Sequence, residues 1–199
     1  GETVGIQNYE KFLKSIGILT NINFDIEEVG ETQIGRWGKC KLATVSFGHG
    51  IATTLLQIAK GFSIISNGGF LIKPKVVQIK NNIKMERILD PNVSRKINPV
   101  LRKVVSTKEG TAGFADVYGY EIGGKTGTAD QPTKGGYSKK KINTFASIFP
   151  TSNPKFVLAV MLDEPKPNKN FIYNYRDGRP PYKGNWRNTS GWTTVWIVG

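Results

Sequence analysis

The sequence predicts an α+β domain, an antiparallel sheet flanked by helices. Three observations carry this. Apolar residues recur at helical spacing over 8–18, 54–66 and 98–106. β-Prone runs fill 118–129, 143–149 and 155–162. Only Pro150-Thr151-Ser152-Asn153-Pro154 joins the last two runs, and strands linked so tightly are most simply antiparallel neighbours. With 199 residues, 38% hydrophobic and 11% aromatic, the chain can bury one sizeable core.

The elements follow in order. In the first helix Asn8 suits the N-cap, Tyr9, Phe12, Leu13 and Ile16 share one stripe, and Gly17 marks the end. Residues 19–45 read as an irregular connection with turns at Gly30, Gly35 and Gly38. Thr54 caps the second helix, and Gln57 three residues on completes a capping box. Leu55, Ile58, Ala59, Phe62 and Ile65 give it a well-buried face, and Asn67-Gly68-Gly69 ends it. Residues 70–79 are strand-like, broken at Pro74. Pro99 is well placed at the first position of a third, short helix carrying Val100, Leu101, Val104 and Val105. A flexible turn at 110–113 precedes the three strands. Residues 165–187 are rich in Pro, Gly, Asn and charge, and read as loop. No internal repeat and no domain boundary is visible.

Composition narrows function. The net charge is +13, from 28 Lys and Arg against 15 Asp and Glu, which favours an anionic partner. The clear cluster is Lys134 with Lys139-Lys140-Lys141, read as a solvated loop. No nucleic-acid-binding signature accompanies it, so nucleic acid is not an expected partner. One cysteine, Cys40, excludes an internal disulfide, argues against a cysteine metal cage, and reads as a small apolar filler in a loop. The single histidine, His49, is expected to be structural. No apolar run approaches the ~20 residues that span a membrane, and Gly1-Glu2-Thr3 does not open a signal peptide.

The most informative stretch is Gly123-Gly124-Lys125-Thr126-Gly127-Thr128, between Val117, Tyr118, Tyr120 and Ile122 and a second run from Thr144 to Phe149. On a strand, Lys125 supplies positive potential for a carboxylate and helps place protons. The Thr126 hydroxyl can donate to that carboxylate. Gly127 lets a ligand backbone lie close, and the Thr128 N–H can face a developing oxyanion. Alone, a Lys-Thr-Gly triplet is a weak signal.

Its context is a long resemblance. Ser46-Phe47-Gly48-His49-Gly50-Ile51 runs into Thr54-Leu55-Leu56-Gln57-Ile58-Ala59, then Asn67-Gly68-Gly69 and Pro74. Glu109-Gly110-Thr111-Ala112, Gly124 to Ala129, Ala146-Ser147-Ile148-Phe149-Pro150, Asn153-Pro154-Lys155 and Leu162-Asp163-Glu164-Pro165 continue it. In order and spacing this resembles the class B penicillin-binding proteins, more the division type than the elongation type. The resemblance implies the transpeptidase fold shared with serine β-lactamases. It implies a D,D-transpeptidase that cross-links peptidoglycan stem peptides through a serine acyl-enzyme and is acylated by β-lactams. Lys125 and Thr128 carry over as catalytic, Thr126 and Gly127 as substrate-binding, with no metal or organic cofactor. It further implies an inner-membrane anchor outside this chain, a periplasmic catalytic domain, and divisome or elongation partners.

Departures qualify this. The family's nucleophile lies in Ser-x-x-Lys at a helix start, faced by Ser-x-Asn. Here Ser-x-x-Lys occurs at Ser138 to Lys141, in a polar loop reading, and at Ser152 to Lys155, around Pro154. Neither fits, and no Ser-x-Asn exists. The expectation is that residues 1–199 are the C-terminal part of the domain, with the nucleophile-bearing part absent. Leu55 stands where the family has Pro, a slight effect on stability. Residues 193–199 depart from the long closing helix of the family. The rival readings are a D,D-carboxypeptidase, β-lactamase or β-lactam sensor of the same fold, and a non-catalytic basic binding module.

Overall fold

The computed structural model describes residues 1–25, 30–76, 85–133, 136–165 and 193–198. They fall into two compact units, Gly1–Ile97 and Asn98–Ile197. The division lies inside a continuous helix, where composition gives no sign of a boundary.

In the first unit, α1 (Ile6–Ser15) starts before the expected Asn8. Gly5, at φ +76°, turns the chain into it, and Asn8 sits in the first turn, its side-chain amide donating to Val4 O at 3.1 Å. Leu13 and Ile16 are buried, whereas Phe12 is exposed. The stretch 19–45 is less irregular than expected. It holds β1 (Gln33–Ile34) and the start of α2 (Lys39–Ser46). Only Leu42 and Val45 of α2 are buried, an apolar pattern too short to announce a helix. Cys40 is exposed on this helix, so it is neither a core filler nor in a loop. β1 pairs antiparallel with β2 (Ile51–Ala52), Ile34 opposite Ile51.

The capping box forms as expected at α3 (Leu55–Ser66). Gln57 N–H donates to Thr54 Oγ1 at 3.1 Å, and Thr54 N–H donates to Gln57 Oε1 at 2.9 Å. The Gln57 amide also donates to Thr20 O at 3.0 Å, which satisfies a fully buried side chain. The buried side of α3 is offset from the expected one: Leu55, Leu56, Ala59 and Ile64 are buried, whereas Ile58, Phe62 and Ile65 are half-buried. Ile64 joins Leu13, Ile16 and Val45 in the core of this unit. Thr54→Ala is expected to cost about 1 kcal/mol by orphaning the Gln57 N–H. A lower urea midpoint of the full-length protein would show it, and an unchanged midpoint would contradict it.

Of the strand expected over 70–79, the described part is a single bridge from Phe70 to Arg87; residues 77–79 lie outside the described residues. The next helix is longer than expected. α4 spans Pro91–Ser106, so Pro99 is interior rather than at the first position. Asp90 opens it by accepting from Asn92 N–H at 2.7 Å, with Pro91 in the first turn. Lacking an N–H, Pro99 cannot bond to the Arg95 carbonyl one turn back.

The second unit is built on a four-stranded sheet in the order β3-β4-β5-β6. β3 (Gly123–Thr133), β4 (Gly136–Phe149) and β5 (Phe156–Asp163) pair antiparallel, Lys125 opposite Ala146 and Ala146 opposite Ala159. β6 (Thr193–Val198) lies beside β5, a strand where the family resemblance implies a helix. Val105, Ile148, Val157 and Ala159 are almost wholly buried. β3 starts later than expected, at Gly123. Residues 118–120 form a turn and 121–122 are irregular, with Gly119 at φ +87° and Glu121 at φ +46°, and Tyr118 is fully exposed. β4 starts earlier, so Lys139–Lys141 lie on a strand and not in a loop; Lys134 is outside the described residues. Lys140 pairs with Glu164 at 2.6 Å and Lys141 with Asp130. Most of the loop expected over 165–187 also lies outside the described residues. Among the described residues no helix is long and apolar enough to cross a membrane.

Candidate active-site strand

Among the described residues β3 is an edge strand, paired on one side with β4. Along an extended strand the N–H and C=O of one residue point the same way, and successive residues alternate. Two carbonyls are turned away from β4: Ile122 O accepts from Arg102 at 2.8 Å, and Thr126 O accepts from Lys125 Nζ at 2.6 Å. Glu121 O faces the other way, accepting from Thr151 N–H at 3.0 Å at the end of β4. By that alternation the Thr128 N–H, two residues beyond Thr126, lies on the open edge. An open edge of this kind can pair with an extended peptide.

Lys125 and Thr128 are exposed, and Thr126 and Gly127 half-buried. The four predicted site residues are thus consecutive on one strand edge. Gly127 has a reason of its own beyond ligand clearance. A Cβ there would stand 2.4 Å from Thr144 Oγ1 on the opposing residue of β4. A residue the sequence reading left without a role joins the group: Thr111 Oγ1 lies 2.8 Å from Thr126 Oγ1. The signal was present, since Glu109-Gly110-Thr111-Ala112 was among the matching motifs.

Polar contacts meet at the entry to β3. Arg102 on α4 donates to Asp116 Oδ1 at 2.8 Å as well as to Ile122 O. The Glu121 carboxylate accepts from the Ser152 hydroxyl and from Ser152 N–H at 3.3 Å. Those bonds, the hydroxyl first, hold its pKa below the ordinary 4.5, against a smaller opposing effect of desolvation and with the least contribution from the Arg102 charge. A carboxyl depressed on folding adds stability above its unfolded pKa and loses it as the pH falls through its folded value. Glu121→Gln should therefore lower the unfolding midpoint of the full-length protein at neutral pH, and the difference should fade at pH values well under 4.5. A difference independent of pH would contradict this.

Neither Ser-x-x-Lys string begins a helix. Ser138 is on β4, correcting the loop reading, and Ser152 is in the turn between β4 and β5. Among the described residues no group of three or more His, Cys, Asp or Glu side chains could hold a metal ion.

The sequence profile of the penicillin-binding protein transpeptidase domain matches residues 1–178. The chain belongs to that family. It is 34% identical over 174 residues to the peptidoglycan D,D-transpeptidase FtsI of Buchnera aphidicola, covering 82% of this chain and 29% of that protein. It is 31% identical over 156 residues to the probable peptidoglycan D,D-transpeptidase PenA of Neisseria flavescens, covering 77% of this chain and 38% of that protein. Among solved structures, the transpeptidase domain of Burkholderia pseudomallei penicillin-binding protein 3 superposes with a TM-score of 0.74 at 28% identity. That match covers 80% of this chain and 50% of the other. The chain therefore spans well under half the length of these two curated relatives. The transpeptidase fold accounts for the mixed architecture seen here, helices with an antiparallel sheet, and agrees with the class expected from sequence.

Proposed function

We propose that the whole protein is a peptidoglycan D,D-transpeptidase of the division type, with this chain as the C-terminal part of its catalytic domain. The observation that carries this is Lys125-Thr126-Gly127-Thr128 on the open edge of the sheet. The relatives named FtsI and PenA support the reaction class. The nucleophilic serine comes from a segment outside these residues, since neither Ser-x-x-Lys string sits at a helix start. Its oxygen attacks the carbonyl between two D-Ala residues of a stem peptide. Terminal D-Ala leaves as the amine, and an amine of a neighbouring stem resolves the acyl-enzyme into a cross-link.

On this wall each group has a task. Lys125 brings positive charge to the cleft and helps place the proton lost by the serine. Thr126 donates to the terminal carboxylate, and Gly127, without a Cβ, lets the ligand backbone lie close along β3. The Thr128 N–H stabilises the oxyanion as the carbonyl becomes tetrahedral. β-Lactams acylate the same serine by mimicking the D-Ala–D-Ala end. The domain works in the periplasm on an inner-membrane anchor, alongside other proteins of septal or elongation wall synthesis.

The test is acylation of the full-length protein by a fluorescent penicillin, followed by turnover of a stem-peptide donor with and without an amine acceptor. Labelling and a cross-linked product are expected. Hydrolysis alone, with acceptor present, would make it a carboxypeptidase, and absence of labelling would refute the reading.

A further inference from the structure

We propose that Thr111 is a positioning residue for carboxylate recognition, acting through Thr126; this rests on the transpeptidase reading of β3. The hydroxyls of the two residues are 2.8 Å apart, and in the free protein either can be the donor. A threonine hydroxyl has one proton and can accept as well as donate. If Thr126 gives its proton to a ligand carboxylate, the bond to Thr111 survives only with Thr111 as donor. Ligand binding thus selects one direction: Thr111 O–H to Thr126 Oγ1, and Thr126 O–H to the carboxylate. Hydroxyls linked in this order polarise one another, which strengthens the last bond, the one made to an anion.

Thr111 is held for this task by its backbone. Gly110 N–H donates to Thr107 O at 3.1 Å, and Ala112 N–H donates to Val104 O at 3.1 Å. The turn is seated so closely on the end of α4 that a Cβ at Gly110 would lie 2.2 Å from Val104 O. Ala112 is buried beside it. Thr111 therefore meets β3 from a segment whose backbone is already bonded, rather than from a free loop end. The Arg102 and Glu121 contacts act on the start of β3 and leave the Thr126 rotamer untouched, so this hydroxyl pair is the direct lever on it.

The experiment is the second-order rate of acylation of the full-length protein by fluorescent penicillin, in a double-mutant cycle. Thr111→Val, which keeps the shape and removes the hydroxyl, should lower the rate about fivefold to tenfold, the worth of one hydrogen bond. Thr111→Ser should restore most of it. In a Thr126→Ala background, Thr111→Val should change the rate less than about twofold, because the hydroxyl it serves is gone. A purely structural role would instead slow both backgrounds alike and lower the melting temperature of Thr111→Val and Thr111→Ser together. A wild-type rate for Thr111→Val, or an equal loss in both backgrounds, overturns the inference and leaves the β3 reading standing. If Thr126→Ala itself acylates at the wild-type rate, the carboxylate role of β3 fails, and the inference falls with it.

Discussion

Lys125→Ala in the full-length protein should slow acylation by a labelled penicillin by roughly 100-fold or more, the scale on which one preorganised polar group stabilises a developing charge. Its melting temperature should barely move. The side chain is exposed, and the bond described for it runs to the carbonyl of its own neighbour, Thr126. Exposed substitutions of this kind usually shift stability by less than about 0.5 kcal/mol. A folded protein with a defective reaction is therefore the expected pair of results. Lys125→Arg should recover part of the rate. It keeps the charge, but its wide planar fork presents the charge differently from a compact ammonium. If Lys125→Ala were acylated within about threefold of wild type, Lys125 would be an ordinary surface lysine and the edge of β3 would lose its claim to the chemistry.

Elements with strong local chemistry were legible in the sequence. Thr54 and Gln57 announced the start of α3 because a capping box is closed within four residues. The tight link after Phe149 announced an antiparallel pair, and Phe149 does stand opposite Phe156. What stayed hidden depends on partners far along the chain. The run of Val117, Tyr118 and Tyr120 has β propensity, yet the chain turns there with Glu121 at φ +46°, where Ser152 bonds to the Glu121 carboxylate and Arg102 to Ile122 O. Pro99 looked like a helix start because it directly precedes Val100, Leu101, Val104 and Val105, whereas α4 is opened by Asp90, nine residues earlier. Lys125 to Thr128 were legible as a motif; that they occupy an open edge, with Thr111 against Thr126, required the register of β3 on β4.

Gly123→Ala should be strongly destabilising, costing about 3 kcal/mol, the upper part of the range for overpacking. A Cβ there would lie 2.4 Å from Thr151 Cγ2, 2.8 Å from Arg102 N and 2.9 Å from Leu101 C. Two of those atoms are helix backbone, which cannot turn aside as a side-chain end can. Relief requires β3 and α4 to separate, and that pulls on the bond from Arg102 to Ile122 O. Lys125 follows two residues on, and displacements of about 1 Å at a reacting group can cost on the order of 100-fold in rate. Gly123→Ala should therefore lose both melting temperature and acylation rate, unlike Lys125→Ala, which loses rate alone. Gly113→Ala is the control. A Cβ there would come no nearer than 3.9 Å to Val105 O, so stability and acylation should both stay close to wild type. Equal behaviour of the Gly123 and Gly113 variants would mean that β3 does not depend on its close approach to α4. The position of Lys125 would then have to be held from the β4 side alone.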